Sequence, residues 1–348
     1  MSRARLRLAV VGTGSMGSLH ARVINASERA TLEVVVEPRK EAGQPVAERF
    51  GARWAPDLDG LGSVDSVIVA AATDAHPALA LAIIEAGYPL LIEKPIADTL
   101  AAAERIIQAS IAAGTPLMCG LLERYNGAVV TALAATRDPL HVAAMRHSPY
   151  APRINTGVAW DLLVHDVDIS LRVMGAEPSD VQGRLGYFHP ESAAGAEDMA
   201  ECLLSFPNRS MAAISASRLG QHKVRSLTIT ELNRQIAVDL LRQSVTIYRH
   251  VPTDAEPEDG LGYRQQTIID IPTLISTREP LAVQLDRFID VQAGHLDMDH
   301  ERASFLPVHR VIETMVAPWR RTKAPLPPAA ALVHVDAGED QNAEPSSE

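Results

Sequence analysis

The first third of the chain alternates short, continuously apolar runs with longer stretches of helical period. Leu6-Arg7-Leu8-Ala9-Val10-Val11 is the first run, too short for a helix and rich in strand formers. Further runs follow at 32–36, 66–71, 89–92 and 116–121, and helical stretches near 15–28, 41–50, 77–86 and 99–113 separate them. Apolar strands joined through helices imply a parallel sheet covered on both faces by right-handed crossovers. Beyond about residue 125 the pattern changes. A helix near 129–135 leads to a strand at 140–146, and a helix near 160–173 leads to strands around 181–188, 201–206, 211–217, 224–230, 235–240 and 244–250. Strands that follow one another without helices pair antiparallel, so this part reads as an α+β domain on an open, mainly antiparallel sheet. Two helices near 281–293 and 307–319 close the pattern. The expected fold class is thus α/β, a doubly wound parallel sheet followed by an α+β domain. The expected units are 1–123, 124–322, and a Pro/Ala-rich, then acidic tail at 323–348 whose composition is that of a disordered segment.

Composition narrows the function classes. A chain of 348 residues with 47% hydrophobic and 22% charged residues carries enough apolar material for two cores. No apolar run reaches bilayer length and the start shows no signal-peptide core, so a cytoplasmic protein without membrane contact is expected. The net charge of -11 argues against nucleic acid as a partner, while an acidic face would suit a cationic ligand. Cys119 and Cys202 both sit in apolar strand-like stretches, which predicts buried thiols rather than a disulfide.

The chemistry begins at Gly12-Thr13-Gly14-Ser15-Met16-Gly17, which follows the first strand and opens a helix, the context of a Rossmann dinucleotide turn. Gly12 permits the tight turn, Gly14 lets the backbone approach a pyrophosphate, and Gly17 allows helix and strand to pack closely. The helix N-terminus adds N–H groups and partial positive charge. Glu37 ends the second strand 20 residues past Gly17. A carboxylate there accepts from both ribose hydroxyls and repels a 2′-phosphate, which favours NAD over NADP, although Arg39 lies close enough to meet such a phosphate.

A second group follows. Lys94 stands between an apolar strand and Pro95, beside Glu93, at the carboxyl end of a parallel strand where ligands of such sheets bind. It can donate to a substrate oxygen. Asp161 and His165 are four residues apart, so on a helix they share a face, and a carboxylate beside an imidazole orients a general base. A metal reading of His165-Asp166-Val167-Asp168 lacks further ligands, and no metal is expected. His20 on the first helix reads as structural.

These residues together resemble the glucose-fructose oxidoreductase, inositol dehydrogenase and rhizopine-catabolism family of NAD(P)-dependent sugar and cyclitol dehydrogenases, over nearly the whole chain to about Trp319. The resemblance implies that Gly12 to Gly17 form the cofactor turn. It implies that Ala72, Thr73 and His76 pass beside the nicotinamide half, and that Glu93-Lys94-Pro95 is the signature tripeptide. By the same resemblance Lys94 polarises the reacting oxygen, His165 is the base, and Asp161 positions the substrate or the histidine. Leu122-Glu123-Arg124-Tyr125-Asn126 resembles a segment of nucleotide-sugar 3-dehydrogenases, with Tyr125 in place of Phe, and makes Arg124, Tyr125 and Arg153 candidates for substrate contact. The expected substrate is a sugar derivative, first a nucleotide sugar oxidised at its 3-hydroxyl. Rival readings are an aminoglycoside or aminocyclitol dehydrogenase, a glycosidase that recycles bound NAD, and a dinucleotide-binding regulator. An open sheet also calls for a cover on its second face, so a homodimer or homotetramer is expected.

Overall fold

The computed structural model describes residues 5–152, 154–192, 195–253 and 264–321; Arg153 and the acidic tail lie outside the described residues. β1 (Leu6–Val11) leads into α1 (Ser15–Ala26), β2 (Ala30–Val36), α2 (Lys40–Arg49), β3 (Arg53–Ala55), β4 (Ser66–Val69), α3 (His76–Glu85), β5 (Leu90–Glu93), α4 (Leu100–Ala112) and β6 (Leu117–Gly120). All pairings are parallel, in the order β3-β2-β1-β4-β5-β6. Along β1, Leu8 and Val10 face Ala21 and Ile24 of α1, while Ala9 and Val11 face the opposite side with Ile83 and Ile106. Both faces are apolar because both are covered, which is why these strands read as unbroken hydrophobic runs. Strand order reverses between β1 and β4, and the crevice outside their carboxyl ends is where such sheets bind ligands.

The remaining elements are α5 (Gly127–Ala135), β7 (His141–His147), α6 (Val164–Met174), β8 (Asp180–Gly186), β9 (Met199–Ser205), β10 (Met211–Ser217), β11 (Val224–Glu231), β12 (Arg234–Asp239), β13 (Ser244–Thr253), β14 (Arg264–Asp270), α7 (Pro280–Gln292), α8 (Met298–Ala303) and α9 (Leu306–Arg321). The strands form one sheet, β14-β13-β12-β11-β7-β10-β9-β8. It is antiparallel except between β7 and β10. Its inner face carries Val142, Ala144, Ile214 and Leu227 against α6 and α9. The outer face keeps Met145, Leu203, Met211 and Ile269 exposed.

Several details depart from the expected pattern. β3 is only three residues long and gives no periodic signal, and β14 and the short α8 were also not expected. The helix expected at 160–173 divides into a π turn, Ala159–Leu163, and α6, which ends at Gly175 in the left-handed region (φ 63°). α7 packs Leu281, Leu285 and Phe288 against the first sheet on the side of α1, so a late segment of the chain completes that sheet's cover. Among the described residues no helix is long and apolar enough to cross a membrane.

Candidate active site

A cleft of about 800 Å³ runs along the carboxyl ends of β1, β2 and β4, from Glu37 and Arg39 at one end to Lys94 and Asp161 at the other. The glycines shape its first half. Gly12 adopts φ 93°, and a Cβ there would lie 2.7 Å from the Ala70 carbonyl oxygen; at Gly17 it would lie 1.9 Å from the Gly12 oxygen. Gly14, the N-cap of α1, has nothing within 4 Å of where a Cβ would project. That opening above a helix N-terminus is the room a pyrophosphate needs, so the residues fit a dinucleotide. Glu37 is buried and receives hydrogen bonds from the Thr13 amide (3.2 Å), the Thr13 hydroxyl (3.0 Å) and Arg39 Nε (2.8 Å). Burial works to raise its carboxyl, but the bonds from Arg39 and Thr13 outweigh it and hold Glu37 below the usual carboxylate range. Arg39 is mostly exposed, lines this end of the cleft and is paired with Glu37. The β3 flank adds Pro56, Asp57 and Leu58 to the wall, none of them legible as site residues because three-residue β3 was itself not legible.

Lys94 leaves the end of β5 on a loop that three buried histidines hold from three helices. His20 of α1 bonds Glu93 Oε1 through Nε2 at 2.7 Å, and Glu93 Oε2 accepts from the Lys94 amide at 3.3 Å. His76 of α3 contacts the Pro95 carbonyl through Nδ1 at 2.8 Å and the Ala71 carbonyl through Nε2 at 3.1 Å. His309 of α9 donates from Nδ1 to the Phe305 carbonyl (2.7 Å) and accepts the Ile96 amide at Nε2 (3.3 Å). That pair of bonds requires the neutral Nδ1–H tautomer, and burial accordingly depresses the His309 pKa to about 4.

The Lys94 ammonium reaches across to the π turn. Nζ donates to the Asp161 carbonyl oxygen at 2.7 Å and to Asp161 Oδ1 at 3.0 Å, while Arg218 Nη2, just past β10, donates to Oδ2 at 2.9 Å. Burial pushes the Asp161 carboxyl up, yet the Lys94 charge and the Arg218 hydrogen bond overcome it and keep the group anionic. Both oxygens of Asp161 are therefore engaged, and neither by His165. This corrects the expected Asp161–His165 pair, because the wider π turn breaks the four-residue spacing that an α-helix would have aligned. His165 Nδ1 is buried with no hydrogen-bond partner among the described residues. Burial first, then the charges of Lys94, Arg146 and Arg225, hold its imidazole well below its ordinary pKa, so it is neutral at pH 7. Arg218 carried no local sequence signal; it meets Asp161 only through the pairing of β10 in the second sheet.

Other expected contacts fall elsewhere. Arg124 is buried and fully used, its Nε and Nη2 on Asp168 (2.8 and 2.6 Å) and its Nη1 and Nη2 on Ser304. Tyr125 packs among Leu281, Leu285 and Phe288. Both hold the two sheets and α7 together rather than facing the cleft, because their partners come from α6 and from the residues around α7 and α8. Ala71, Ala72 and Ala75 form the wall beside β4, whereas Thr73 lies outside it and both ring nitrogens of His76 face carbonyl oxygens, to one of which the neutral ring donates. Asp166 is paired with Arg146 and Asp168 with Arg124, so neither carboxylate is available beside His165.

Residues 6–121 match the family model described as an oxidoreductase family with an NAD-binding Rossmann fold, and residues 123–231 match the GFO/IDH/MocA C-terminal domain. The chain is 29% identical over 293 residues to the UDP-N-acetylglucosamine 3-dehydrogenase of Acidithiobacillus ferrooxidans, covering 83% of this chain and 90% of that protein. It is 26% identical over 275 residues to the myo-inositol 2-dehydrogenase of Thermotoga maritima, covering 74% and 81%. A solved structure of the Acidithiobacillus ferrooxidans enzyme aligns at TM-score 0.77 and 27% identity over 90% of this chain and 97% of that one. GenD2 from gentamicin A biosynthesis, solved with NAD, shares the fold at TM-score 0.76 and 23% identity over 92% and 96%. With its cofactor turn, its lysine at the end of β5 and both halves of its fold accounted for, the chain belongs to the GFO/IDH/MocA family of NAD-binding oxidoreductases.

Proposed function

We propose that this protein oxidises a secondary ring hydroxyl of a sugar derivative to a ketone, and that the substrate is a nucleotide sugar oxidised at its 3-position. The observation that carries the reading is the meeting of Lys94 and Asp161 at 3.0 Å at the end of the cleft remote from Glu37, with a neutral histidine one turn further on. NAD supplies the hydride acceptor when bound. Lys94 donates to the reacting oxygen and stabilises the charge that gathers on it, His165 takes the hydroxyl proton, and Asp161 fixes the lysine. A histidine whose pKa is depressed is unprotonated at neutral pH, as a base must be. The nucleotide-sugar choice is supported by the relative named a UDP-N-acetylglucosamine 3-dehydrogenase, which matches over 90% of its length. Because Arg124 is buried, the arginine we assign to an anionic substituent among the described residues is half-exposed Arg225, 3.6 Å from Glu123.

NADH formation tests the reading, with purified protein, NAD and a panel of UDP-hexoses, free sugars, inositols and aminoglycosides. UDP-hexose turnover that weakens in Arg225→Gln is the expected result; turnover confined to aminoglycosides or inositols would replace the substrate, and none at all would remove the dehydrogenase reading. We also propose that the exposed apolar outer face of the second sheet joins copies of the chain into a homodimer or homotetramer. A monomer by light scattering would refute this.

A further inference from the structure

Three buried arginines each meet an aspartate, and two of them are filled in the same way. Arg124 and Arg146 each grip one carboxylate through Nε and Nη2 together, at 2.8 and 2.6 Å on Asp168 and at 2.8 and 2.9 Å on Asp166. That forked geometry is the one the guanidinium is shaped for. Arg218 is as deeply buried, with its side chain 3% exposed, but only its Nη2 meets a carboxylate oxygen. Its Nε is buried and has no partner among the described residues. A buried charged donor left unpaired is unfavourable, so the arrangement is held by something that competes for the other half of the carboxylate. The competitor is Lys94, which takes Asp161 Oδ1.

Arg218 does not line the cleft, whereas Lys94 and Asp161 do. Its Nε, buried and without a partner among the described residues, is therefore not part of the cleft surface offered to a substrate. We infer that Arg218 is a positioning residue that takes over Asp161 through its complete Nε/Nη2 fork when Lys94 turns its ammonium to the reacting oxygen. The carboxylate moves from one cation to the other, so Lys94 leaves without abandoning a half-buried, uncompensated charge. The inference rests on the dehydrogenase reading above for what Lys94 does next, but the shared carboxylate belongs to the protein alone. Among the described residues, the charges acting on Asp161 include Lys94 after β5, Arg218 after β10 and Arg225 on β11, with the neutral His165 following in α6; Glu197 before β9 holds the Ala159 amide at the start of the π turn (2.8 Å).

The test uses the full chain, with Arg218→Gln and Arg218→Lys. Melting temperature and NAD affinity are measured first, then kcat and KM on whichever panel substrate reduces NAD. Titration of the Asp161 carboxyl by carbon NMR, assigned with Asp161→Asn, needs no substrate. In Arg218→Gln, kcat should fall by about tenfold to a hundredfold while NAD affinity stays within about threefold. The Asp161 titration should move to higher pH, because one of its two cations is gone. Arg218→Lys should return the titration towards the wild-type position without restoring kcat, since a point charge cannot fill the fork. Wild-type kcat in Arg218→Gln, an unmoved Asp161 titration, or full rescue of kcat by lysine would each overturn the inference. If the glutamine variant does not fold, the lysine variant decides alone: a wild-type kcat refutes the fork, a lowered kcat with normal NAD affinity supports it. Failure of every panel substrate would count against the proposed function only, and the titration would still judge Arg218.

Discussion

The two ends of the cleft are built in opposite ways. The Glu37 end is made of backbone and of residues near one another in sequence: the turn from Gly12 to Gly17, the start of α1, and Glu37 held by Thr13 and Arg39. The Lys94 end is made of side chains gathered from β5, the π turn, α6 and β10, with histidines from α1, α3 and α9 behind them. The first binds mainly by shape, with the Glu37 carboxylate setting which cofactor it prefers, and is damaged most by filling space or moving the backbone. In the proposed reaction the second works through charge and proton position, so single side chains should silence it while leaving the first intact.

The sharpest contrast is expected from His165→Ala, which should cut turnover by about 10³-fold while NAD still binds. In the wild type, the acid limb of kcat/KM for oxidation should fall below pH 6.5, because the depressed pKa keeps the base unprotonated to lower pH than a free histidine. A limb above that value would contradict a neutral base. Gly17→Ala addresses the other end: its Cβ would sit 1.9 Å from a backbone oxygen, so NAD affinity should drop by about a hundredfold, read by fluorescence titration. Glu37→Ala should change preference more than rate. Losing the carboxylate, and leaving Arg39 without its partner, should raise the ratio of NADP to NAD use by about tenfold, measured as kcat/KM for each.

The smallest effect concerns the histidines behind the lysine. His309 has a folded pKa near 4, below that of a free histidine, so the unfolded chain binds the extra proton first and stability falls as pH drops from about 6.5 towards 4. This one group should account for roughly 2–3 kcal/mol over that window, none of it lost at higher pH. Urea denaturation at pH 7 and pH 4.5 should show a smaller pH difference in His309→Gln than in the wild type; equal differences would refute the neutral tautomer.

The same contrast explains what was legible in the sequence. The alternation of apolar strands and helices, the glycine turn, Glu37 and Lys94 are local patterns, and the fold class followed from them. Arg218 and the three-histidine frame depend on which strands and helices meet, which no local spacing encodes. The Arg124-Tyr125 segment was visible as a motif but misread as substrate contact, because Asp168, Ser304 and Phe288 lie far along the chain and only the fold brings them to it. The spacing of Asp161 and His165 suggested a pair on an α-helix; one extra residue per turn at Ala159–Leu163 handed Asp161 to Lys94 and Arg218 instead.

The most direct measurement of the division between the two ends is Lys94→Ala, with NAD affinity by titration calorimetry and NADH formation on the preferred substrate in the same preparation. The Lys94 ammonium donates to Asp161, at the other end of the cleft from Glu37, so NAD affinity should stay within about threefold while turnover falls by about 10³-fold or more. Turnover near the wild-type rate, or a parallel collapse of NAD binding, would contradict it.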